Sequence, residues 1–293
     1  MLIYLDTMLW NVLFDQKVDP GDIRKSLASR YANLVPGPHV FYEMLKSFHS
    51  PEPRKIERGK QLLGYFAQFV RPDTPAARDN MELLAAEIDT IKRGPLAVEM
   101  FLTRTEREVI RKNVEKFATG MLDEQATKFL ADQKAFALQT RAGQKDHLQH
   151  RDDIKAGLKS VSEDDLCGWL QQTTFANAGK LALTHHIQRI IPGIPIERAA
   201  ELALILLSPP IKRFARGVVR ADLYYNWRCA NRDSVPKDLV DDMYHVLNAV
   251  YCDVYATAEK KQAEYAQLIL TSNTKVAVYD EAVPVVQWIG SLA

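Results

Sequence analysis

Short apolar runs that stop abruptly at a polar residue stand at both ends of this chain, each followed by sequence of helical period. Residues 2–5, Leu-Ile-Tyr-Leu, are closed by Asp6; residues 254–257 end in Thr257; residues 275–279 follow one helix-length stretch later. Four or five continuous apolar residues are too few for a core helix, and they leave no polar face for water. That is the pattern of a parallel strand covered on both sides. Strands separated by helices are joined by βαβ crossovers, so the ends of the chain predict one parallel sheet flanked by helices.

The rest of the chain divides around that pattern. Residues 33–35 form a second short candidate strand, stopped by Pro36-Gly37-Pro38, after which Phe41, Met44, Leu45 and Phe48 recur at helical spacing. Residues 56–65 and 76–92 read as helices, with 66–70 as a third candidate strand between them. From about 95 to 233 the character changes. Residues 106–132 and 197–207 are helical in period, and the hydrophilic stretch 141–153 reads as an exposed helix end or loop. Beyond Pro236 the alternation returns, with helices expected over 238–251 and 259–271. The expected architecture is therefore α/β. A discontinuous domain made of 1–92 and 234–293 is split by a mainly α-helical insertion over 93–233, which suits a chain of 293 residues and a domain size of about 150.

Composition narrows the function classes. The net charge is only +1, so no bulk field draws the protein to nucleic acid or membrane, and any polyanion contact must come from a local patch. Three scattered cysteines (Cys167, Cys229 and Cys252) argue against a disulfide framework or a zinc knuckle and fit a reducing cytoplasm. The start of the chain lacks the basic and long apolar regions of a signal peptide, and the apolar run 202–207 is far short of the ~20 residues that span a bilayer. A soluble, membrane-free protein is expected.

In open parallel sheets, sites form beyond the carboxyl ends of the strands. Asp6 ends the first run, Glu43 falls off the apolar stripe of its helix, Asp242 lies in the first turns of another helix, and Asp253 begins the next strand. Each acid also has an ordinary reading. Asp6 would serve as a helix N-cap, and Asp238, Asp241 and Asp242 would favour a helix N-terminus through its dipole.

Several segments resemble the PIN-like nuclease family. Tyr4-Leu5-Asp6-Thr7 followed by Trp10 is similar to the opening of a PIN-like domain, and residues 36–48, PGPHVFYEMLKSF, to its second element, with Glu43 as the helix acid. Residues 242–261, DMYHVLNAVYCDVYATAEKK, resemble a subgroup with D-x-x-H, then Y-x-D and a strand ending in Thr. The chain departs from that pattern after Thr257, where Ala258 and Glu259 stand in place of the family's Asp. Either Glu259 substitutes with a longer arm, or the role falls to Asp253. The resemblance covers about half the chain. It implies hydrolysis of single-stranded or structured RNA with Mg2+ or Mn2+, with Asp6, Glu43, Asp242 and Asp253 as catalytic and metal-binding acids and Glu259 as a further candidate ligand. Carboxylates suit such hard ions, and their mutual repulsion is relieved by a cation, which then polarises the phosphodiester and positions a water.

Secondary roles follow more loosely. His245 would bond Asp242 or a substrate phosphate, or brace the helix start; Thr257 would orient an acid or serve only as a β-branched strand residue. His147, His150, His185 and His186 read as surface or packing residues. Arg213, Arg216 and Arg220, with Trp227 beyond them, follow helical spacing and combine phosphate-gripping with base-stacking chemistry. The competing reading is an amphipathic helix with aromatics in the core and arginines in water. Three rivals stay open: a nuclease of DNA structures, a non-catalytic RNA- or protein-binding module with a degraded site, and a protein held by an inhibitory partner or a second copy of itself.

Overall fold

The computed structural model describes residues 1–94, 98–135, 158, 160–208, 212–232, 236, 238–270 and 273–293. Its sheet has four parallel strands in the order β2-β1-β3-β4: β1 (Leu2–Leu5), β2 (Asn33–Leu34), β3 (Val254–Thr257) and β4 (Lys275–Val278). β1 pairs with β2 on one side and β3 on the other, with Ile3 opposite both Leu34 and Val254. The expected α/β class and parallel sheet are thus present. Ile3, Tyr4, Leu5, Tyr255 and Ala256 are all fully buried, which is why these strands carry no polar alternation.

Helices follow the strands in order: α1 (Thr7–Asp15), α2 (Pro20–Ala28), α3 (Pro38–Leu45), a 3-10 turn (Lys46–His49) and α4 (Pro53–Ala67). The expected strand at 66–70 is corrected. Phe66 and Ala67 finish α4, and turn hydrogen bonds carry the chain through Val70. Phe66 and Phe69 both set their rings against Trp10, at 5.1 and 4.9 Å between centroids. These apolar residues therefore cover α1 rather than extend the sheet.

The middle of the chain is helical: α5 (Asn80–Arg93), α6 (Arg104–Thr119), a helical stretch over 124–135, α7 (Leu166–Thr174), α8 (Asn177–Ile190), α9 (Ile196–Leu207) and α10 (Arg213–Asn231). α5 and α6 each open on a capping box, Asp79 with Glu82 and Thr103 with Glu106. The expected single helix over 106–132 is interrupted at Gly120, whose φ of 71° closes α6 in the left-handed conformation glycine tolerates. The stretch 141–153 lies outside the described residues. The chain then returns through α11 (Leu239–Asn248), β3, α12 (Lys260–Ile269), β4 and α13 (Val285–Leu292).

One buried core runs through both the α/β and the helical parts. A buried carboxylate ties them. No side chain caps α10 from its own first turn. Instead Glu87 of α5 accepts the N–H groups of Phe214 (2.7 Å) and Ala215 (2.8 Å), and the hydroxyl of Tyr251 as well. Three donors satisfy an acid that burial would otherwise make costly. Among the described residues no helix is long and apolar enough to cross a membrane, and none of Cys167, Cys229 and Cys252 is in a disulfide.

Candidate functional site

Chain order places β2 on one side of β1 and β3 on the other, which makes the carboxyl ends of β1 and β3 the rims of a crevice. Asp6 fills it. Its N–H continues the sheet ladder to Ala256 O (3.0 Å), Oδ1 accepts Leu9 N–H (2.9 Å) as the N-cap of α1, and Oδ2 accepts the Thr257 hydroxyl. Thr257 Oγ1 in turn accepts the N–H of Glu259 (2.9 Å). The capping reading of Asp6 therefore holds together with its place at the strand end, and Thr257 does orient an acid. Asp6 is only 4% exposed. Burial pushes its pKa up to about 6, against the pull of the Thr257 and Leu9 hydrogen bonds and of His245.

Beside Asp6 stands a buried ion pair. His245 of α11 has Nε2 2.9 Å from Glu43 Oε2 and 3.0 Å from Thr7 Oγ1, and Nδ1 3.4 Å from the Tyr4 hydroxyl. Tyr4 reaches it because Gly37 leaves room. A Cβ there would lie 2.5 Å from the Tyr4 ring. Burial opposes the imidazolium, yet Glu43, Asp6 and Asp242 raise the pKa of His245 above its ordinary value. Burial likewise opposes the Glu43 carboxylate, but His245, Lys46 and Thr7 hold it well below the usual range. His245 thus braces Glu43 rather than donating to Asp242. Lys46 Nζ lies 3.6 Å from Glu43 Oε1 and 2.8 Å from Asp241 Oδ2. His39 packs edge-on to His245 at 4.9 Å, and its pKa falls to about 3 through burial and the neighbouring His245 charge.

Asp242 is differently placed. Its carboxylate has no hydrogen bond or ion pair among the described residues. Burial first, then the charges of Glu43 and Glu259, push its pKa up to about 7. Glu259 acts on Asp6 in the same direction. Of the two candidates for a fourth acid, the fold brings Glu259 to this neighbourhood and leaves Asp253 out. Asp253 precedes β3, so four residues of strand, about 13 Å, separate it from the Thr257 end. Its Oδ2 instead accepts the N–H of Leu2 (2.7 Å), fastening the amino ends of β1 and β3.

The basic and aromatic candidates of α10 also lie elsewhere. Arg213 stacks over Tyr251 at 5.7 Å, and Arg220 Nη1 donates to Leu270 O (3.3 Å). Tyr251 precedes β3 and Leu270 follows α12, whose ten residues carry the chain about 15 Å away from Glu259. Both anchors belong to the amino-end side of the sheet. Arg216 and Arg220 are half-buried, with no hydrogen-bond partner for Nε among the described residues, and burial lowers the pKa of each. Trp227 is corrected outright as a base-stacking residue. It is 2% exposed, its indole N–H donates to Val161 O (3.0 Å), and its ring stacks on Tyr224 at 6.1 Å.

Sequence reasoning missed Tyr4, Thr7, His39 and Lys46. His39, Glu43 and Lys46 share one face of α3 and the turn after it by their i, i+4 and i+7 spacing, the one local signal that links them. His186, expected like the other three to be a surface or packing residue, pairs with Asp222 at 2.7 Å; His185 is exposed, and His147 and His150 lie outside the described residues.

No group of three or more His, Cys, Asp or Glu among the described residues is disposed to hold a metal ion. The donor chemistry still fits a hard cation of lesser demand, since Mg2+ is commonly held by one or two carboxylates, several waters and substrate phosphates rather than by a protein cage. Asp242, unpaired among the described residues, and Asp6, with a lone pair free on each oxygen, are each able to supply such a carboxylate. Glu43 is not, because the cations His245 and Lys46 already neutralise it. No family model matches the chain, nor does any curated protein or solved structure.

Proposed function

We propose that this protein hydrolyses phosphodiester bonds, in single-stranded or structured RNA, as a Mg2+- or Mn2+-dependent endoribonuclease on a PIN-like sheet interrupted by a helical insertion. One observation carries the reading. Asp6, Glu43, Asp242 and Glu259 come from four separate segments to the carboxyl-end crevice of β1 and β3, and Asp6 and Asp242 have raised pKa values there. Crowded, poorly compensated carboxylates cost stability, and such arrangements concentrate at functional sites. Asp6 and Asp242 would hold the ion, with Glu259 at the rim. Such an ion would supply charge neutralisation at the phosphate and activation of the attacking water. Thr257 fixes the rotamer of Asp6, while His245 and Lys46 keep Glu43 ionised and immobile.

A second reading, a binding module without catalysis, is favoured by the engagement of both Glu43 oxygens with protein cations. The test is cleavage of a single-stranded RNA and of a flap-structured DNA, with Mg2+ or Mn2+ and with EDTA. Metal-dependent cleavage of the RNA is expected, lost in Asp6→Asn and Asp242→Asn variants of unchanged circular dichroism. Glu259→Gln is expected to lower the rate and Asp253→Asn to leave it unchanged. Preference for the flap would move the substrate to DNA; no cleavage above the Asp6→Asn control would leave the binding module.

A further inference from the structure

A cleft of about 570 Å³ lies between α3, α5, the helical stretch 124–135, α8, α10 and α11, and shares side chains with the acid crevice. Glu43 and Lys46 belong to both. The walls are aromatic and apolar: Tyr42, Phe129 and Tyr244, with Met81, Leu84 and Phe214 beyond them. The rings form a connected set, His39 to Tyr42 at 6.2 Å, His39 to Tyr244 at 5.9 Å and Tyr42 to Phe129 at 5.9 Å. His39 contributes a neutral ring, since its pKa lies near 3.

Four carboxylates also line it, Glu43, Asp79, Asp132 and Asp241, and two other polar features bear on a ligand. Gln133 donates its amide N–H to Tyr42 O (2.6 Å), while its Oε1 is buried without a hydrogen-bond partner among the described residues. Arg189 is exposed at the cleft margin, and its charge partly opposes the burial that raises the pKa of Tyr244. A cleft of this size falls in the usual range for small planar ligands, about 300–1,000 Å³, lined by apolar groups and a few placed polar atoms. An orphaned buried acceptor calls for a donor on the ligand.

We infer that this cleft receives an unpaired nucleobase of single-stranded nucleic acid, next to the phosphate presented to the acid crevice. The inference rests on the nuclease reading for the role of that phosphate. A base has the flat faces the rings accept and an N–H edge for Gln133 Oε1, and its phosphate would lie towards Arg189, since Lys46 is held by Glu43 and Asp241. The base must leave its stack to enter, so a continuous duplex is excluded. Capture by stacking also suits a chain of net charge +1 whose α10 arginines are anchored far from the acids.

The test measures binding in EDTA, where no metal-dependent cleavage occurs. Saturation-transfer NMR with AMP should show transfer to the base protons, and ribose 5-phosphate should not displace it. A single-stranded RNA dodecamer should bind at least tenfold more tightly than its duplex, with a shallow salt dependence of one or two phosphate contacts, about 0.7 each in log–log slope. Met81→Trp adds bulk at an exposed wall residue, 46% accessible, and should weaken both ligands roughly tenfold or more. Gln133→Met should weaken AMP roughly fivefold. Unchanged affinity in Met81→Trp with a native circular dichroism spectrum, or equal binding of duplex, would overturn the inference. So would an apolar peptide that displaces AMP only in wild type while RNA does not. Loss of this binding with cleavage intact would leave the nuclease reading standing; binding without cleavage would keep the cleft and remove the nuclease.

Discussion

Consider Asp242→Asn, unfolded by urea in EDTA at pH 8. Two effects of opposite sign meet at this residue. Asp242 sits in the first turn of α11, where the helix dipole favours an acid by about 0.3–1 kcal/mol. Against that, burial and the charges of Glu43 and Glu259 raise its pKa from 3.8 to about 7. At about 1.4 kcal/mol per pH unit this is a penalty of roughly 4 kcal/mol on the ionised native state; the carboxylate is partly exposed, so screening reduces it to about 2 kcal/mol. The penalty wins, and the variant should be more stable than wild type by about 1–2 kcal/mol. A raised carboxyl pKa destabilises only where the unfolded chain ionises first. The gain should therefore be absent below about pH 4, grow as pH rises towards 7 and stay level above it. Manganese should reverse the order, stabilising wild type by about 2.7 kcal/mol at a hundredfold excess over its dissociation constant and the variant by much less. A variant less stable than wild type in EDTA at pH 8 would refute the argument and make Asp242 an ordinary helix-terminal acid.

His245→Ala should destabilise the protein by about 3–5 kcal/mol at pH 7, because it strands the buried Glu43 carboxylate; adding Glu43→Gln should return part of that loss in urea titrations, and full additivity would count against the pair. Wild-type stability from Glu43 is present above its ordinary pKa of 4.5 and should fall as pH drops below it, a loss that Glu43→Gln removes. Trp227→Ala should cost about 3–5 kcal/mol in thermal or urea unfolding yet leave RNA affinity unchanged under native conditions, and a tenfold loss of affinity in folded variant would return Trp227 to the binding surface.

The alternation of strand and helix at the two ends of the chain was legible because each buried parallel strand needs an apolar run with no polar face. Sequence alone placed β1, β2, β3 and β4 within a residue or two of their observed bounds, and it marked Asp6 for ending an apolar run, Glu43 for falling off the apolar stripe of its helix, and Asp242 for its place at a helix start in a segment resembling the PIN-like pattern. It could not separate Asp253 from Glu259: the two bracket the same short strand, and only pairing of β3 with β1 decides that one faces the crevice and the other fastens the opposite end. Nor could it read residues 66–70, whose apolar character serves a helix end packed on Trp10, or Trp227, whose spacing identifies a helix face without saying what covers it. The His245–Glu43–Lys46 cluster and the cleft beside it exist only because α3 and α11, from opposite ends of the chain, pack together. Local periodicity records which face of an element avoids water; which charges then meet depends on crossovers between segments that carry no mark of one another.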